Sequence, residues 1–136
     1  MTPRRENEPP GSPGEWLSHA ESDLALARLA SGSKDILPEQ VCFHAQQAAE
    51  KALKAVLLSK RIEFPLVHDI EELLELAKQG GVTLPPPVAG AGLLTPYAVE
   101  ARYPGSLEEI TPADVGKALR AAESVLQWAA NAIGGH

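Results

Sequence analysis

The sequence is short of cysteine, of positive charge and of long apolar runs, and each shortage removes a class of protein. A single thiol, Cys42, permits no disulfide within one chain, and its place in an apolar arc suits a small buried side chain. No apolar stretch reaches the length of a membrane span. The N-terminus is polar and proline-rich where a signal peptide would be apolar, so the expected location is cytoplasmic. His19, His44, His68 and His136 are scattered, with no Cys-x-x-Cys or His-Glu-x-x-His, so no metal site and no cofactor is expected. Alternating β-branched runs are also missing, which excludes a sheet. With 18 acidic against 12 basic residues the net charge is −6, and the protein has no overall pull on DNA or RNA. Any polynucleotide contact needs a local basic patch.

What the sequence does contain is helical spacing. Its 136 residues suit one domain with a single core. Residues 1–12, with three prolines and alternating charges before Gly11, read as a disordered tail, and 13–133 as an all-α unit. Ser12-Pro13-Gly14-Glu15 is a helix start, with Ser12 as cap and Glu15 three residues on. Trp16, Leu17, Ala20, Leu24, Ala27 and Leu29 then repeat at helical spacing. A longer helix opens at Leu37-Pro38-Glu39 and runs to about Lys60. A third is capped by Asp69, with Glu72 placed to reach back, and buries Ile70, Leu73, Leu74 and Ala77 before Gly80-Gly81 ends it. A fourth is expected from about Val88 to Arg102, interrupted at Pro96. The last runs from Thr111-Pro112-Ala113-Asp114 to about Ile133. The predicted fold is an up-down four-helix bundle with an additional short helix.

The stretch from Cys42 to Leu58 carries the most information. At about 100° per residue, Val41, Ala45, Ala48, Ala52 and Val56 share one side of the helix, and Gln47, Glu50 and Lys54 lie opposite. His44 and Lys51 stand on one line at the seam between core and solvent. Lysines at such an edge ordinarily lay their methylenes over apolar surface and keep the ammonium wet. A second segment changes the balance. Tyr97-Ala98-Val99-Glu100-Ala101-Arg102-Tyr103-Pro104-Gly105 places two tyrosines and an arginine at the end of the fourth helix, where the cation also suits the helix dipole and Tyr-Pro-Gly also suits a turn.

Together, the segment from Cys42 to Ala55 and the Arg102-Tyr103-Pro104 turn resemble the HEPN family of small helical domains, with Trp16-Leu17, Asp23-Leu24 and His68-Asp69-Ile70 adding to the likeness. The resemblance implies a helical bundle, usually a homodimer, often encoded beside a minimal nucleotidyltransferase in toxin–antitoxin pairs. Many members are metal-independent ribonucleases whose arginine is followed, after a short gap, by a histidine. Here Arg102 matches, but Tyr103, Pro104, Gly105, Ser106, Leu107 and Glu108 follow, and no histidine. Cleavage through the 2′-hydroxyl needs a proton acceptor near neutral pKa as well as a cation on the phosphate, and Arg102 supplies only the cation.

The leading expectation is therefore a binding module without a catalytic residue, which takes a nucleotide or other phosphate-bearing ligand, a nucleotidyltransferase partner, or both. Lys51, Lys54 and Arg102 supply charge, Tyr97 and Tyr103 stacking surface, and His44 and Gln47 orientation. Two other readings stand beside it: a ribonuclease toxin with His44 or His68 as a non-standard base, and a purely structural dimer. Apolar residues near helix ends, Leu93, Leu94 and Trp128, favour a homodimer.

Overall fold

A computed structural model describes residues 11–98 and 109–134. In chain order the elements are α1 (Pro13–Ser31), α2 (Pro38–Ser59), α3 (Ile70–Gln79), the single turn α4 (Pro86–Ala89), a 3₁₀ segment (Gly90–Ala98) and α5 (Pro112–Gly134). No strand occurs among the described residues. The chain is an all-α bundle with α1, α2, α3 and α5 as its main helices, and α2 at the centre packs against the other three and the 3₁₀ segment.

The helix starts follow from local chemistry. Ser12 Oγ accepts from the Glu15 N–H at 3.1 Å, and the Ser12 N–H donates back to Glu15 Oε1 at 3.4 Å. Thr111 and Asp114 repeat the box on α5: Asp114 N–H donates to Thr111 Oγ1 at 3.1 Å and Thr111 N–H to Asp114 Oδ2 at 2.9 Å. The Thr111 backbone N–H, and then its side chain, hold the Asp114 carboxyl below the usual carboxylate range. The ionised carboxylate is thus the form the fold favours. Its contribution is complete above the ordinary pKa of 3.8 and is lost as pH falls through the lowered one. On α3 the cap is one-sided: Asp69 Oδ1 accepts from the Glu71 and Glu72 amides, without the expected return bond from Glu72.

The helix ends are equally local. After α3, Gly81 takes φ +87° while its N–H bonds Lys78 O and the Val82 N–H bonds Ala77 O, the paired closure of a Schellman turn. After α2 the same pattern uses Arg61 at φ 58°, with Arg61 N–H to Leu58 O and Ile62 N–H to Leu57 O. A non-glycine residue there costs about 1–2 kcal/mol.

The core is built on alanine. Ala45, Ala48, Ala49, Ala52 and Ala55 of α2 are fully buried and share one cluster, Ala55 apart, with Ala20 and Ala27 of α1 and Ala118, Ala122 and Ala129 of α5. Such small faces let helix axes approach closely. Larger groups, Leu53, Leu57, Ile70, Leu73 and Leu94, fill the space toward α3 and the 3₁₀ segment.

Three expectations need correction. Leu29 is 78% exposed, because the helical period places Ala30 on the buried face instead. The fourth helix is one α-turn followed by the tighter 3₁₀ segment, because Gly90 and Gly92 weaken an α-helix and Pro96 supplies no N–H. Of the three residues read as excess apolar surface, Leu94 is fully buried and Trp128 packs on the core; only Leu93 is exposed. The expected tail up to residue 10 and the end of the fourth helix lie outside the described residues.

Candidate functional site

Two polar clusters grow from α2. The first occupies the side of the helix read as solvent-facing, and there the reading fails: Glu50 is 3% and Lys54 4% exposed. Trp16 of α1 and Phe64 of the α2–α3 loop close over them, with the Lys54 ammonium 5.8 Å and 5.9 Å from the two ring centroids. Glu50 Oε2 accepts from Lys54 Nζ at 2.9 Å, and Oε1 accepts from Gln46 Nε2 at 2.9 Å. His68 Nδ1 lies 3.0 Å from Oε1 and 3.1 Å from Oε2, and Gln46 Nε2 also donates to the His68 carbonyl at 3.2 Å. Gln47 Nε2 donates to Gln46 Oε1 at 2.7 Å, extending the network toward the surface. The His68 side chain itself is 69% exposed, so a buried carboxylate holds one edge of an imidazole that otherwise meets solvent.

The second cluster lies along the seam. Lys51 Nζ donates to Asp23 Oδ2 of α1 at 2.6 Å. His44 Nδ1 is 3.6 Å from Oδ1 of the same carboxylate, beyond hydrogen-bond length, and is buried without a hydrogen-bond partner. Lys51 also lines an open cleft of about 320 Å³ with Glu15, Trp16, His19 and Gly11. Gly11 takes φ +91°, and a Cβ there would stand 3.4 Å from the indole Nε1, so glycine lets the chain pass the edge of Trp16.

Of the residues expected to bind ligand, the fold thus sets His44 and Lys51 on Asp23, and Gln47 and Lys54 on the Glu50 network. Tyr97 is partly buried against the core. Arg102 and Tyr103 lie outside the described residues. Asp23, Gln46, Glu50 and Trp16 carry the site's geometry but were not expected as site residues. The spacing of Gln46, Glu50 and Lys54, four apart along one line of a helix, is the signal that points to the first of these clusters.

The HEPN domain model matches residues 14–133, a span that contains both clusters. The chain belongs to the HEPN family. Among solved structures, the crystal structure of an archaeal HEPN homologue is 27% identical with a TM-score of 0.72, covering 90% of this chain and 98% of its own. No match is found among curated proteins. Among the described residues of this HEPN domain no group of His, Cys, Asp and Glu is arranged to hold a metal ion, and no helix is long and apolar enough to cross a membrane.

The buried pair makes a sharp stability prediction. Lys54→Ala leaves the Glu50 charge without its ammonium and should cost about 3–5 kcal/mol in urea unfolding, whereas the double variant Glu50→Leu with Lys54→Met should recover most of that loss. Equal destabilisation of the single and double variants would show that packing of Lys54, not its charge, is what matters.

Proposed function

We propose that this HEPN domain is a cytoplasmic, homodimeric binding module without chemistry of its own, which takes a nucleotide or similar phosphate-bearing ligand and works beside a minimal nucleotidyltransferase partner. The observation that carries the ligand reading is the convergence of an indole, an imidazole and an ammonium, from Trp16, His19 and Lys51, on one open cleft. A base can stack on Trp16 while Lys51 turns to the phosphate. Asp23 gives this exchange a built-in return. When Lys51 leaves Asp23 for an anion, the carboxylate is free to take the unpartnered His44 Nδ1, so the charge left behind is not stranded. Lys54 supports the indole from within rather than meeting the ligand.

Titration with ATP followed by tryptophan fluorescence should show saturable quenching that weakens at higher salt. Lys51→Ala and Trp16→Phe should each weaken binding by about tenfold. Unchanged affinity in both variants removes this cleft as the ligand site.

The homodimer draws support from exposed apolar residues on α1 and the turn after it, Leu26, Leu29, Ile36 and Leu37, together with Leu66. Light scattering at micromolar concentration should give twice the 14.4 kDa chain mass. A monomer mass overturns the expectation.

One observation favours the ribonuclease reading as the second choice. Glu50 grips His68 at Nδ1 and leaves Nε2 of an exposed ring as a proton acceptor, an arrangement suited to a general base. Labelled single-stranded RNA incubated with the protein in chelator should nevertheless stay intact. Cleavage that disappears in His68→Ala reverses the choice between the two readings.

A further inference from the structure

The basic residues of this domain divide into two sets. Arg28, Lys51, Lys54 and Lys78 each have a carboxylate partner, at 3.2, 2.6, 2.9 and 3.9 Å. Lys34, Lys60, Arg61, Lys117 and Arg120 have no ion pair among the described residues, and of these Lys117 and Arg120 of α5 line one cleft together. Both face a cleft of about 310 Å³ between α5 and the turn that joins Pro86–Pro87 to the 3₁₀ segment. Ser124, four residues beyond Arg120, lines the same cleft, so that 117, 120 and 124 form one stripe on the helix. No acidic side chain lines it among the described residues. Asp114, one turn before Lys117, is held in the helix cap by Thr111.

Gly116 adds an observation of another kind. A Cβ at that position would stand 3.2 Å from Arg120 Nη1 and 3.8 Å from Nη2, so the guanidinium folds back over a bare Cα. Glycine is less favourable than alanine inside a helix, yet here it leaves room for the arginine head to lie along the cleft wall. The opposite wall is apolar, with Pro86, Pro87 and the exposed Leu93. Two cations without an ion pair among the described residues and a hydroxyl on one side, with an apolar wall on the other, match an anion that carries an organic body.

We propose that this cleft is a second ligand site, distinct from the Trp16–Lys51 cleft, that binds a phosphate monoester. Arg120 holds two phosphate oxygens with its planar fork, Lys117 supplies the second charge, the Ser124 hydroxyl donates to a further oxygen, and the organic group lies against Leu93 and Pro86.

Residue-resolved NMR titration of the full chain at low salt tests it, with AMP, glycerol phosphate and inorganic phosphate as probes. The expected result is saturable shifts at the amides of Gly116, Lys117, Arg120 and Ser124, with either ester binding more tightly than inorganic phosphate. A preference for AMP identifies a nucleotide, and equal binding of the two esters a phosphate ester of any kind. Lys117→Ala and Arg120→Ala should each weaken these shifts by about tenfold or more, and Lys51→Ala should leave them unchanged. Gly116→Ala, which favours the helix, should weaken binding while the thermal midpoint holds or rises. Absence of saturable shifts at these amides, or affinity unchanged in Lys117→Ala with Arg120→Ala, overturns the proposal. So does binding of polyglutamate here without response to any ester, which would assign the cleft to an acidic protein partner. Shifts confined to Trp16 and Lys51 would support the first site and reject this one.

Discussion

A carboxylate buried in the middle of the central helix governs the arrangement of everything around it. Desolvating Glu50 costs several kcal/mol, and the fold is obliged to surround it with donors. Lys54 comes from the next turn, Gln46 from the previous one, and His68 from the loop ahead of α3. The first two contacts are available to α2 alone. The third is not, so the α2–α3 loop is tied down where its backbone and Phe64 can cover the charge, and Trp16 of α1 closes the other side.

This polar knot complements an unusual core. Alanine faces on α1, α2 and α5 permit close helix approach, but each alanine offers little area, and small apolar surfaces alone specify helix register weakly. A buried charge with directed partners does specify it, because sliding α1 or the loop by one residue strands a carboxylate in the interior. The larger side chains, Leu53, Leu57, Ile70 and Leu73, then fix the side toward α3.

Internal neutralisation also separates the cations by how far the fold commits them. Lys54 is committed to Glu50 and lies beneath aromatic rings, so its charge serves the fold. Lys51 is committed to Asp23, but at the edge of an open cleft. Lys117 and Arg120 are committed to nothing on the described surface. Four cations that look alike by type therefore differ in their surroundings, according to the carboxylates the fold brings to them.

The ends of α1, α2, α3 and α5 and the fold class were legible because their causes are local. Ser12 with Glu15, Thr111 with Asp114, Asp69 and Gly81 act on residues within one turn, and the 3.6-residue period of α2 names its alanine face correctly. The same period assigned Glu50 and Lys54 to solvent, because a helix wheel records direction but not what lies in that direction. Trp16 is 34 residues before Glu50 and His68 is 18 after it, and neither distance leaves a mark in local spacing. Residue types and spacing along the chain were enough to give helices, caps and the HEPN likeness. Which carboxylate meets which cation, and so which charges remain for a ligand, depended on the packing of α1, the α2–α3 loop and α5 around α2, because burial and pairing are properties of the assembled surface.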